Sequence, residues 1–173
     1  MNKSIAEELV SHLREEAQAY EALYTLLQEE KDALVQWSIG ELREIVEKKE
    51  AQLEQIHALE ENRDEFLQSI RDELKKAGIR FNGTKGTLTL TDIIHAVREE
   101  DRRPLVNIQK DLTQLVRDVT TTNHTNQLLL KRSYELVNAN LNIYKQSEKL
   151  AQTYSANGSM KAPETSRIVD GAL

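Results

Sequence analysis

The sequence predicts an all-α protein: an elongated antiparallel helical bundle, or coiled coil, of three long helices plus a short helix and a disordered C-terminal tail. Three observations carry that expectation. Of 173 residues, 39% are hydrophobic and 30% charged with only 6 Gly and 2 Pro, the makeup of long solvated helices. A seam at alternating steps of three and four runs unbroken from Leu105 to Tyr154, the heptad signature of a helix packed lengthwise on others. Two earlier stretches carry apolar stripes of their own, separated by a start signal and closed by a stop signal.

The first helix is expected from about Lys3 to Gln36, with a stripe of Leu9, Leu13, Ala17, Tyr20, Leu23, Leu27 and Leu34. Ser38-Ile39-Gly40-Glu41 then matches a capping box, in which the Ser hydroxyl accepts from the Glu41 N–H and the Glu carboxylate reaches back. The second helix follows through Leu42, Ile45, Leu53, Ile56, Phe66, Ile70 and Leu74. Gly78 supplies its left-handed C-terminal residue after two lysines placed where the macrodipole favours cations.

Residues 79–103 read as a connection. Asn82-Gly83 and Lys85-Gly86 are turn dipeptides, and a short helix from Thr91-Asp92 holds Ile93, Ile94 and Val97. Asp101 and Pro104 signal the start of the last helix, because proline's missing N–H costs nothing in a first turn. The chain divides into a helical domain, 1–154, and a tail, 155–173, whose small polar residues have nothing to bury.

Charge and composition exclude several functions. The net charge of −6 argues against nucleic acid, which needs a clustered basic surface. No apolar run approaches the ~20 residues that span a bilayer, and no leader opens the chain, so stable membrane insertion is not expected and the cytoplasm is the simplest address. Zero cysteines removes disulfides, thiolate catalysis and cysteine-based zinc sites together. Glu54-x-x-His57 has the spacing of a di-iron ligand pair, but such a site needs a second pair and two more inward glutamates. Asp92-x-x-His95 does not supply them. Asn82-Gly83-Thr84-Lys85-Gly86 lacks phosphate-loop spacing, and no nucleophile elbow is present. No enzyme, metal or cofactor is expected.

The informative features lie in the last helix. Asn123 and Asn126 sit in a run of poor helix formers, and Asn126 occupies a seam position. It reads first as a buried amide that fixes register at a cost in stability, and second as a hinge or polar contact. From there one seam position turns polar while a second apolar stripe opens beside it: Leu130, Tyr134, Val137, Leu141 and Tyr144. A patch of this kind marks an interface. A protein partner, a homodimer, and cover from the 79–103 connection are the three readings. The last is weakened because that connection should lie near the start of the helix, several tens of ångströms away.

Other residues add a resemblance. Glu30-Lys31-Asp32-Ala33-Leu34, Leu42, Ile45, Lys49-Glu50, Leu53, Ile56 and Leu59-Glu60-Glu61-Asn62-Arg63 resemble the first two helices of the FlgN family. Asn123-His124-Thr125-Asn126-Gln127-Leu128-Leu129 is similar to its N-x-x-N-x-x-L-L segment, and Tyr154-Ser155-Ala156-Asn157-Gly158 to its tyrosine–glycine signature. That resemblance implies a cytoplasmic chaperone of flagellar type III export that binds C-terminal segments of the hook–filament junction proteins. The cargo would lie on the end of the last helix, and Tyr154 would dock on the export gate. The chain departs from the family in its longer 79–103 connection and in Ser155, where a glycine often follows the tyrosine. A homo-oligomeric coiled-coil scaffold without an export role is the alternative.

Overall fold

A computed structural model describes residues 5–76, 89–97 and 99–153; of 73–76, 96 and 148–153 it describes the backbone alone. It contains four helices, α1 (Ile5–Gln36), α2 (Ile39–Lys76), α3 (Leu90–Ala96) and α4 (Glu99–Thr153), and no strand among the described residues. The all-α expectation therefore holds. The glycine turns at 82–86, the Gly78 stop and the tail from Ser155 lie outside the described residues. Two units are distinguished, Met1–Leu129 and Leu130–Leu173, and α4 contributes to both.

Within the first unit α1 and α2 form an antiparallel pair. Trp37, between them, adopts a left-handed φ of 59°. This conformation costs a non-glycine residue roughly 1–2 kcal/mol. The Ser38 N–H then donates to the Ala33 carbonyl at 3.0 Å, closing α1, and the Ser38 carbonyl accepts from the Leu42 N–H at 3.0 Å, opening α2. The start of α2 is where the sequence placed it, but the device differs. Ser38 works through its backbone on both sides, and among the described residues no side-chain bond joins it to Glu41.

A capping box does form one helix later. The Thr89 hydroxyl accepts from the Asp92 N–H at 3.2 Å while the Thr89 N–H donates to the Asp92 carboxylate at 2.9 Å. The Thr89 hydroxyl, which also donates to the Asp92 carboxylate at 2.6 Å, and then the Thr89 N–H hold the Asp92 carboxyl below its usual range. α3 thus starts two residues earlier than expected, and it delivers Ile93 and Ile94 to a buried cluster with Ala6, Leu9, Leu13, Ile70 and Leu105. α4 also begins early, at Glu99, so Pro104 lies inside the helix rather than in its first turn. The acidic first turn complements the macrodipole. Arg102 ties that start down, donating to the Ile94 carbonyl at 3.0 Å and to Glu99 at 2.9 Å. Fully buried Leu105 follows immediately.

A second cluster, Ala19, Leu23, Leu27 and Ile56, lies further along, with Val119 of α4 packed against it. Leu105 beside Leu9 and Asn126 beside Leu27 show that α4, up to Leu129, follows α1 and runs antiparallel to α2.

Between the clusters the α1 stripe carries a residue that apolar patterning passed over. Glu16, not Ala17, fills the buried seam position; it is 1% exposed and accepts from Arg63 Nη1 at 2.7 Å. Two heptads later Glu30 accepts from Lys49 Nζ at 2.8 Å, and Lys49 lies two heptads before Arg63 on α2. One contact is thus made twice at a fixed register. A slip of one heptad would set Glu16 against Ile56 or Ile70, and Glu30 against Leu42 or Ile56. Either slip leaves buried carboxylates without a cation, which costs several kcal/mol.

Burial raises the Glu16 carboxyl to about 7 despite the guanidinium of Arg63. Neighbouring Tyr20, whose hydroxyl donates to Glu60 at 2.9 Å, is pushed up to about 12, chiefly by burial. Because the folded-state value of Glu16 lies above the unfolded one, its contribution to stability is fully present below about pH 4.5 and is lost as pH rises through about 7. Glu16→Gln removes that loss. Urea unfolding at about pH 8 should show the variant more stable than the parent by up to roughly 3 kcal/mol, with the difference shrinking towards about pH 5. A difference independent of pH would refute the assignment.

Candidate functional site

The α4 seam changes character along its length. From Leu105 to Ser133 each seam position is buried or half-buried, whereas Leu136, Asn140, Ile143 and Ser147 are all exposed. Among the described residues, packing therefore covers the first part of the heptad pattern and leaves the rest exposed.

Asn126 stands near that change. It is 2% exposed, and its Nδ2 donates to the Leu27 carbonyl and to Glu30 Oε2, each at 2.8 Å. Glu30 holds Lys49 at the same time, so one amide, one carboxylate and one ammonium join α4, α1 and α2. The Asn126 Oδ1 has no hydrogen-bond partner among the described residues. The run around it is helical, with its hydroxyls turned back onto the helix. Thr120, Thr121 and Thr125 donate to the carbonyls of Val116, Arg117 and Thr121 at 2.8–2.9 Å. Asn123, on the same run, is half-buried.

Beyond Asn126 the five residues of the second stripe sit together on one face. Leu130, Tyr134, Val137, Leu141 and Tyr144 are exposed, from 42% at Val137 to 75% at Tyr144. Pattern reading missed two neighbours. Leu136 and Ile143 were assigned to a covered seam, yet they are exposed at 53% and 63%. A signal for them was present: once the alternate seam positions become Ser133, Asn140 and Ser147, no apolar partner row remains for Leu136 and Ile143 to pack with. The result is two apolar ridges, Leu130–Val137–Tyr144 and Leu136–Ile143, with a row of small polar residues between them, a surface into which another helix can set its side chains. Tyr154 lies outside the described residues.

The histidines hold no comparable arrangement. His57 is exposed, with the Glu60 carboxylate 3.9 Å away, and His12 lies against Phe66 with ring centroids 5.1 Å apart. Among the described residues no group of three or more acidic or histidine side chains is placed to hold a metal. No described helix is long and apolar enough to cross a membrane.

Removing the clasp isolates its contribution. Asn126→Ala should lower stability by about 1–3 kcal/mol in urea unfolding followed by circular dichroism, since it deletes two buried bonds and opens a small void. A change below about 0.5 kcal/mol would show the clasp to be dispensable.

Comparison with known proteins adds one finding. Neither curated proteins nor solved structures give a match. The family described as FlgN protein matches over residues 1–162, which takes in all four helices and the exposed ridges of α4. The chain belongs to the FlgN family, the flagellar export chaperones.

Proposed function

We propose that the chain binds C-terminal segments of hook–filament junction proteins on the exposed face of distal α4 and delivers them to the export gate. The observation that carries this reading is the exposure of Leu130, Tyr134, Val137, Leu141 and Tyr144 on one helix face after the seam has lost its cover. Family membership supports the export setting. A cargo helix laid on that face buries its own apolar side with these residues, at roughly 1.5–3 kcal/mol for each large side chain fully enclosed. Covering the segment keeps it from aggregating before export. The step is binding alone and needs no nucleotide.

A carboxylate in the middle of the ridge would have to be desolvated against the cargo. Val137→Asp or Leu141→Asp should weaken cargo binding by about a hundredfold or more in calorimetry with a junction-protein C-terminal peptide, while helicity is retained. Unchanged affinity would remove this face from the reading. Light scattering of the free chain separates the homo-oligomeric scaffold: a dimer stable at every concentration would favour that alternative.

Gate docking is assigned to Tyr154 on the tyrosine–glycine resemblance. Tyr154→Ala should keep the cargo affinity and lose pull-down of the export gate. Equal recovery of the gate by parent and variant would refute that role.

A further inference from the structure

The proposed docking face has a charge pattern that specifies its ligand more closely. Between Leu130 and Ser147 the chain carries three cations, Lys131, Arg132 and Lys145, and one anion, Glu135, although its net charge is −6. All four are exposed, and the three cations make no ion pair among the described residues. Their angular positions matter more than their number. At 100° per residue, Lys145 and Lys131 stand about 80° and about 120° to one side of Val137, Arg132 about 140° to the other, and Glu135 about 160° round, on the back. The apolar face is therefore shouldered on both edges by positive charge that outnumbers the single Glu135, the i+4 neighbour of Lys131 and i+3 neighbour of Arg132.

We propose that the occupant of this face is an amphipathic helix whose apolar seam is flanked on both sides by aspartate or glutamate. This deepens the cargo reading and rests on it. Shoulder charges lie at the rim of such an interface, where opposite sign steers encounter and fixes orientation and like sign repels. A cationic amphipathic helix could also meet an anionic membrane surface. The row of Ser133, Asn140 and Ser147 between the ridges favours a protein helix. Small polar side chains fit between packed helices, whereas hydrocarbon would leave the Asn140 amide without hydrogen-bond partners, even though Ser147 already donates to the Tyr144 carbonyl at 2.8 Å.

Two synthetic helical peptides with the same apolar heptad seam, one with Glu and one with Lys at every flanking position, test this by fluorescence anisotropy against the full chain. The Glu peptide should bind about tenfold more tightly at low ionic strength, as expected for a few rim pairs, and the preference should shrink as salt is raised. Combining Lys131→Glu, Arg132→Glu and Lys145→Glu, three exposed positions, should reverse the preference without loss of helicity. Equal affinities for both peptides, each lost in Val137→Asp, would overturn the charge inference and leave the docking face standing. Failure of both peptides to bind, or binding indifferent to Val137→Asp, would overturn the two together. Binding of anionic phospholipid vesicles that the triple variant loses, with no preference between the peptides, would overturn the inference in favour of a lipid surface.

Discussion

The placement of two carboxylates in the α1 seam governs how the first unit is put together. Hydrophobic heptads alone permit several antiparallel registers, since apolar residues recur at seam spacing on both helices. Glu16 and Glu30 remove that freedom, because Arg63 and Lys49 reach both only in the observed alignment. The register in turn sets Glu30 at the height where Asn126 meets it, so the docking of α4 depends on the pairing of α1 with α2. Specificity here is bought with stability. A leucine at position 16 would bury as well and carry no charge to desolvate, which is why the Glu16 carboxyl titrates near neutrality.

Covered and exposed stretches are divided along α4 by what occupies its seam. Up to Asn126 the seam is served by Leu9, Leu27, Ile56 and their neighbours. Afterwards the alternate positions become serine and asparagine, which forfeit the burial that would have continued the bundle. The apolar residues that remain have no intramolecular use in the described structure. A helix can keep its backbone bonds without a packed face, but its tertiary stabilisation is then supplied only by what binds it.

Much of this was legible from periodicity. The four helices, the α1–α2 junction, the seam of α4 and the stripe from Leu130 to Tyr144 follow from apolar spacing, which the folded chain obeys because each stripe has one face to bury. The failures have different causes, none of which apolar spacing reports. Glu16 looks like surface beside Ala17 until Arg63, far along the chain, is brought to it. Trp37 carries no left-handed signature, since the strain at that turn is imposed by the pairing of its flanking helices. Pro104 reads as a first-turn residue, and only the Arg102 tether and the acidic turn before it extend the helix upstream. Leu136 and Ile143 keep a seam's spacing, so spacing alone assigns them a partner they lack.

Charge separates the two uses to which an uncovered apolar ridge can be put. Were distal α4 to pair with the same segment of a second copy in parallel, opposite shoulders would face each other and Lys131 would approach the partner's Arg132. An antiparallel pairing centred between Val137 and Ala139 would instead set Lys131 level with the partner's Lys145. Both arrangements bring like charges to the shoulders of a small interface, and the single Glu135, beside Lys131 and Arg132, offsets them only in part. The apolar attraction that would drive self-association is opposed by its own rim, whereas an acidic-shouldered helix meets the same ridge with attraction at centre and edge. On the docking proposal, a face of this composition discriminates against a copy of itself and in favour of an acidic-shouldered helix.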